Sequence, residues 1–217
     1  MLLDLLTVAI LALVGVRLFS GARYALKPGV RAHVVAVVRG IRLRHLLPAP
    51  LVLVLVVTAA GLLVQIPVLD WGWWTEIGGE GNPVIGVTEQ TTGSLLEWLV
   101  PAVFMVMLLP ALPLFAEWEE RRFRLGAEGW STARRVWRGI QFGLFHAVIG
   151  IPIGVALALS IGGWYFTATY LRGWRAASAA ERQDTAREAA VLESTRAHLA
   201  YNLEVLLLVV VAIVLGV

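Results

Sequence analysis

The sequence predicts an all-α, polytopic transmembrane helical bundle of about six membrane helices. Three observations carry that expectation. Of 217 residues, 59% are hydrophobic and 15% charged, against about a quarter charged in an average soluble domain. The mean hydropathy is +0.78. The Lys and Arg residues are confined to three blocks lying between apolar runs. This excludes an ordinary soluble enzyme, and no nucleic-acid partner is expected. With no cysteine in the chain, a disulfide framework and a thiolate metal site are excluded as well.

A helix needs about 20 apolar residues to cross about 30 Å of hydrocarbon. Residues Leu2 to Phe19, Leu47 to Leu69, Leu95 to Phe115 and Leu199 to Val217 each meet that length. The first run carries Asp4, lacks a basic start and precedes no small-residue cleavage site, so it is expected to be a retained helix and not a signal peptide. Gly139 to Leu171 is too long for one span. It contains two candidate breaks, at Gly150 to Gly154 around Pro152 and at Gly162-Gly163. A hairpin of two helices, one of them short or re-entrant, is the expectation there.

Charge placement supports the hairpin, because Lys and Arg in short loops mark the cytoplasmic side. The basic blocks are Arg17 to Arg44, Arg121 to Arg138 and Arg172 to Arg196. Asp70 to Glu89 has no basic residue and carries Asp70, Glu76, Glu80 and Glu89 beside Trp71, Trp73 and Trp74, as an outer-face loop would. Two passes through Gly139 to Leu171 bring all three basic blocks to one side. A single pass strands the third block outside. Between Ser20 and His45, the Pro28-Gly29 break followed by VRAHVVAVVRGIRLRH fits a basic amphipathic helix on the inner leaflet. A juxtamembrane extension of the second span fits equally. Ala176 to Arg196, with no Gly or Pro, is expected to be a solvated helix leading into the last span. The organisation divides at 1–94, two N-terminal helices with a basic inner loop and an acidic, Trp-rich outer loop, and 95–217.

Ionisable groups at membrane depth are costly and face a bundle interior or a wet cavity. Three such groups occur in order: Glu119, Glu120 and Arg124 in AEWEERRFRLG; Phe142 and His146 in FGLFH; His198 and Asn202 in HLAYN. On the expected topology all three reach one leaflet, with His146 about seven residues, on the order of 10 Å, into its helix. Glu120 leads Arg124 by four positions, the favourable order for a helical ion pair. Glu119 points about 100° away and is left free of that pair. His198 and Asn202 share a helix face. Taken singly, the ion pair reads as a juxtamembrane salt bridge and the His-Asn pair as interhelical hydrogen bonding. His146, deep in an apolar segment, needs a partner of some kind.

EExxxR, FxxxH and HxxxN in successive helices resemble the CPBP family of intramembrane proteases (CAAX prenyl protease and bacteriocin-processing, also called Abi). The resemblance covers roughly Leu95 to Val217 and includes the Phe123-Arg124 ending of the first motif. Leu125 stands where the family often has glycine, and Arg172 to Arg196 is a long polar insert between the second and third motifs.

What the resemblance implies is an intramembrane endopeptidase, a multi-pass protein of the cell membrane whose site faces the cytoplasm. Glu119, helped by His146, would activate water for attack on a peptide carbonyl. His198 and Asn202 would stabilise the oxyanion, and Glu120 and Arg124 would orient the site. The implied partners are a peptide or protein substrate and the lipid membrane. No cofactor is committed. Zinc is the alternative if the metalloprotease version of the family applies, and the metal-free version ranks first because Asn202 is a poor zinc ligand and a good oxyanion donor. Two other functions stay open: a non-catalytic scaffold of the same fold that regulates another membrane protein, and a proton- or metal-coupled transporter. The absence of repeated halves weighs against the transporter.

Overall fold

The computed structural model describes residues 2–76 and 96–215. Glu80 and Glu89 of the expected acidic loop lie outside them. The chain runs α1 (Leu2–Ala25), α2 (Pro28–Arg39), α3 (Leu43–Leu46), α4 (Ala49–Leu63), α5 (Trp73–Glu76), α6 (Leu96–Arg124), α7 (Thr132–Phe145), α8 (Ile153–Ala158), α9 (Ser160–Ala177) and α10 (Gln183–Leu215). Two 3-10 turns, Ala127–Gly129 and His146–Ile149, lie at the ends of α7. No strand occurs among the described residues.

Four stretches among the described residues are long and apolar enough to cross a membrane: Leu43–Leu63, Ala102–Gly129, Ile153–Ala177 and Gln183–Val211. The protein is therefore an integral membrane helical bundle. Neither α1 nor α7 is among the four, and the expected count of six depended on both. With 14 residues, three of them arginines, α7 does not by itself reach the length and hydropathy of a span.

The central element is α10, which packs against α9, α6 and α4 and touches α2 and α3, while α1 lies along α6 and α4 also packs on α8 and α9. Local chemistry sets the boundaries. Pro28 occupies the first turn of α2, where its missing N–H costs nothing. Gly126 ends α6 at φ 86°, a left-handed conformation that glycine adopts without a Cβ clash. The Ser131 hydroxyl caps α7 by accepting the Arg134 N–H at 3.3 Å.

The expected hairpin breaks at the first of its two candidate points. Gly150, at φ 97°, and Pro152 at the N-cap of α8 reverse the chain, so that α7 and α9 pack side by side. Gly162 and Gly163 lie inside α9, where Gly163 serves close approach: a Cβ there would stand 2.9 Å from the Gly139 carbonyl oxygen. A Cβ on Gly143 would meet the Ala156 carbonyl oxygen and the Ser160 side chain. Small residues facing one another let membrane helices pack backbone to backbone.

Two expectations are corrected. His146 sits at the end of α7, fourteen residues after its start, because the helix begins in the basic segment at Thr132 and not at Gly139. The segment Ala176 to Arg196 is not a solvated helix. It holds the end of α9, a turn, and the first half of α10, in which Ala186, Ala190, Val191, Ser194 and Thr195 are buried. Asp184 and Glu188 stay exposed, while Ala190 packs against Tyr170 of α9 and Glu193 is buried.

The α7–α9 crossing gives the first prediction. Gly143→Val should lower stability by about 1–3 kcal/mol through overpacking, seen as a drop in the melting temperature of the detergent-solubilised protein. Gly129→Ala, which meets nothing within 4 Å, should change it by less than about 0.5 kcal/mol. Equal melting temperatures for the two variants would show that the crossing is not tight.

Candidate active site

The last turns of α6 carry two adjacent carboxylates that the helix sends in different directions. Glu120 and Arg124 are 0% and 1% exposed, and the Arg124 guanidinium donates to Glu120 Oε1 at 3.0 Å. Arg124 also donates to the Gly163 carbonyl at 3.3 Å and lies 4.1 Å from the Phe142 ring centre, with Phe166 on another side at 5.4 Å. A buried cation is tolerable only when its charge and its donors are met. A carboxylate, a carbonyl and aromatic faces meet them here.

His198, on α10, reaches the other side of Glu120: its Nδ1 is 2.9 Å from Glu120 Oε1 and donates to it. Its ring stacks on Phe166 at 4.3 Å with an interplanar angle of 21°, and Phe142 meets its edge at 5.5 Å. With Nδ1 committed to Glu120, Nε2 points the opposite way, towards Glu119 at 3.7 Å. His146 is fixed by the same logic. Its Nδ1 donates to the Phe142 carbonyl at 2.9 Å, which sets the tautomer, and Nε2 faces Glu119 Oε2 at 3.9 Å.

Glu119 is the convergence point. Its Oε2 is buried and has no hydrogen-bond partner, yet two imidazole nitrogens from two other helices face it just beyond hydrogen-bond range. Asn202 lies one turn beyond His198 on α10, half-buried, and its carboxamide makes no hydrogen bond among the described residues. The polar residues singled out from the sequence thus include a held unit of Glu120, Arg124 and His198 and a face made by Glu119, His146 and His198. Asn202 makes no hydrogen bond to that face among the described residues.

Spacing did not disclose Phe166 and Gly163, the residues of α9 that stack on His198 and accept from Arg124. Neither belongs to a motif. Both are supplied by tertiary packing, and the glycine pair at Gly162-Gly163 was the available clue, read as a break instead of a close approach.

Zinc ligands must gather about 2.0–2.2 Å from one point. Among the described residues no three His, Asp or Glu side chains are arranged to hold a metal ion. No metal site is therefore assigned, and no step is routed through a metal.

Breaking the buried pair from one side should be severe. Arg124→Met should destabilise the fold by about 3–5 kcal/mol, because it leaves an uncompensated buried carboxylate. Arg124→Met combined with Glu120→Gln should recover part of that loss in the same thermal assay, and a double variant no more stable than the single would contradict the pairing. No protein-family model, curated protein or solved structure matches this chain.

Proposed function

We propose that this chain is an intramembrane endopeptidase of the CPBP type, hydrolysing a peptide bond close to the cytoplasmic face of the membrane through a glutamate-activated water. The observation that carries the proposal is the unpartnered Glu119 Oε2 facing His198 Nε2 at 3.7 Å and His146 Nε2 at 3.9 Å. A general base needs a free carboxylate within one water of the proton it takes.

In the proposed reaction a water held between Glu119 and His146 gives its proton to Glu119 as its oxygen attacks the peptide carbonyl carbon. The carbonyl oxygen becomes an oxyanion. The Asn202 amide donates to it, and so does His198 Nε2–H in the imidazolium form, with Nδ1–H kept on Glu120. When the C–N bond breaks, the proton carried by Glu119 passes to the departing nitrogen, and an acid and an amine leave. Glu120 and Arg124 act by positioning: they hold the His198 ring so that its free edge faces the reacting atoms. Fixed donors in a poorly solvated site are worth more than the same donors in water.

For topology we infer six crossings in which α1 and the α7 to α9 hairpin complete the four apolar spans. That arrangement gathers the three basic blocks on the cytoplasmic side.

Two experiments test these readings. Purified protein in lipid nanodiscs should cleave members of a peptide library, and Glu119→Gln and His146→Ala should each lower kcat/KM by at least about 100-fold without lowering the melting temperature. Equal turnover in the three proteins would remove the peptidase assignment, and no turnover in the wild type would favour the scaffold. In a chain without native cysteine, Asp70→Cys and Ala179→Cys should label from opposite sides of the membrane. Labelling from one side would break the six-crossing topology.

A further inference from the structure

We propose that the turn between α2 and α3, together with Arg172 of α9 and Arg196 of α10, is a binding site for the phosphate headgroup of an anionic phospholipid. It is built around a carboxylate on α10 that has no part in the proposed chemistry. The buried His45 accepts the Arg42 backbone N–H on Nδ1 at 3.0 Å, so its Nε2–H donates to Glu193 Oε1, 3.1 Å away. Arg44 grips the same carboxylate with two nitrogens, Nε at 3.0 Å from Oε1 and a terminal nitrogen at 3.0 Å from Oε2. Arg172 approaches Oε1 at 3.8 Å.

One carboxylate cannot neutralise the cations gathered there. Arg196 lies across Gly40, whose missing side chain makes the room, and its Nε is buried with no hydrogen-bond partner. Arg42 and Arg44 stand close enough to Arg196 to repel it, and the Arg42 side chain has no partner among the described residues. Four guanidinium groups thus face a single negative charge. A phosphodiester supplies what is missing: negative charge and oxygens that a planar guanidinium fork binds in pairs.

A lipid suits the place better than a free anion. The cluster sits where one of the four apolar spans begins, at Leu43, and Leu43, Leu46 and Leu47 beside it are 69%, 39% and 71% exposed, a surface for acyl chains. Arg44 and Arg172 are each more than half exposed, so a headgroup can reach them. Basic pockets between membrane helices are suited to such headgroups. This inference is independent of the peptidase reading.

Native mass spectrometry and melting temperature of the wild type in neutral detergent, titrated with phosphatidylglycerol, phosphatidylcholine or inorganic phosphate, test it. Phosphatidylglycerol should bind and raise the melting temperature, and the other two should not. Arg42 is exposed, so Arg42→Gln tests the site without disturbing the core. It should weaken phosphatidylglycerol about fivefold, with Arg42→Gln/Arg196→Gln weaker still and Arg134→Gln on α7 unchanged. Equal binding of the two lipids, or wild-type affinity in Arg42→Gln, would overturn the proposal. So would a shift from inorganic phosphate matching that from phosphatidylglycerol, since the ligand would then be a free anion.

Discussion

Glu120 is the group on which the arrangement of the helices depends. A carboxylate with no exposure inside an apolar bundle has a large desolvation cost and must be met by charge and by hydrogen bonds. Its two partners come from different distances along the chain: Arg124 from the next turn of α6, and His198 from α10, 78 positions later. The local partner satisfies charge and the distant one sets geometry. Because Arg124 in turn needs the Gly163 carbonyl and the faces of Phe142 and Phe166, one buried acid ties α6, α7, α9 and α10 to a single relative placement.

The glycines of α7 and α9 make that placement attainable. Gly139 and Gly143 on one helix and Gly163 on the other bring backbones together, which puts Phe142 between Phe123, at 5.6 Å, and Phe166, at 5.9 Å. The same approach carries His146 to the rim of the cluster, where its side chain stays 22% exposed while Glu120 is sealed. Glu120 and Arg124 form the buried half of the site, and Glu119 and His146 form the half that reaches the protein surface.

Much of this was legible in the residues alone. Ion-pair spacing identified Glu120 with Arg124, and the 100° offset of neighbouring helical positions left Glu119 free, because both follow from helix geometry that any helical segment obeys. The break at Gly150 and Pro152 was legible for the same reason: it is local chemistry. What stayed hidden is the work of packing between distant segments. Ala186, Ala190 and Ser194 are small, and in a charged stretch they read as solvated, whereas all three are buried and Ala190 comes close to the backbone of α9 at Gly173. His45 and Glu193 are 148 positions apart, and no spacing rule connects them. The start of α7 was misplaced because an apolar-run criterion cannot count a helix turn made of arginines.

The length of α10 has a mechanical consequence. Its 33 residues at 1.5 Å each make a rod of about 50 Å, well beyond the roughly 30 Å of a hydrocarbon slab, so it must lean or protrude, and by different amounts in bilayers of different thickness. His198 lies near the rod's midpoint. A rod tilted about its centre swings its ends and scarcely displaces its middle, so a lean of α10 moves the His198 imidazole less than it moves either tip.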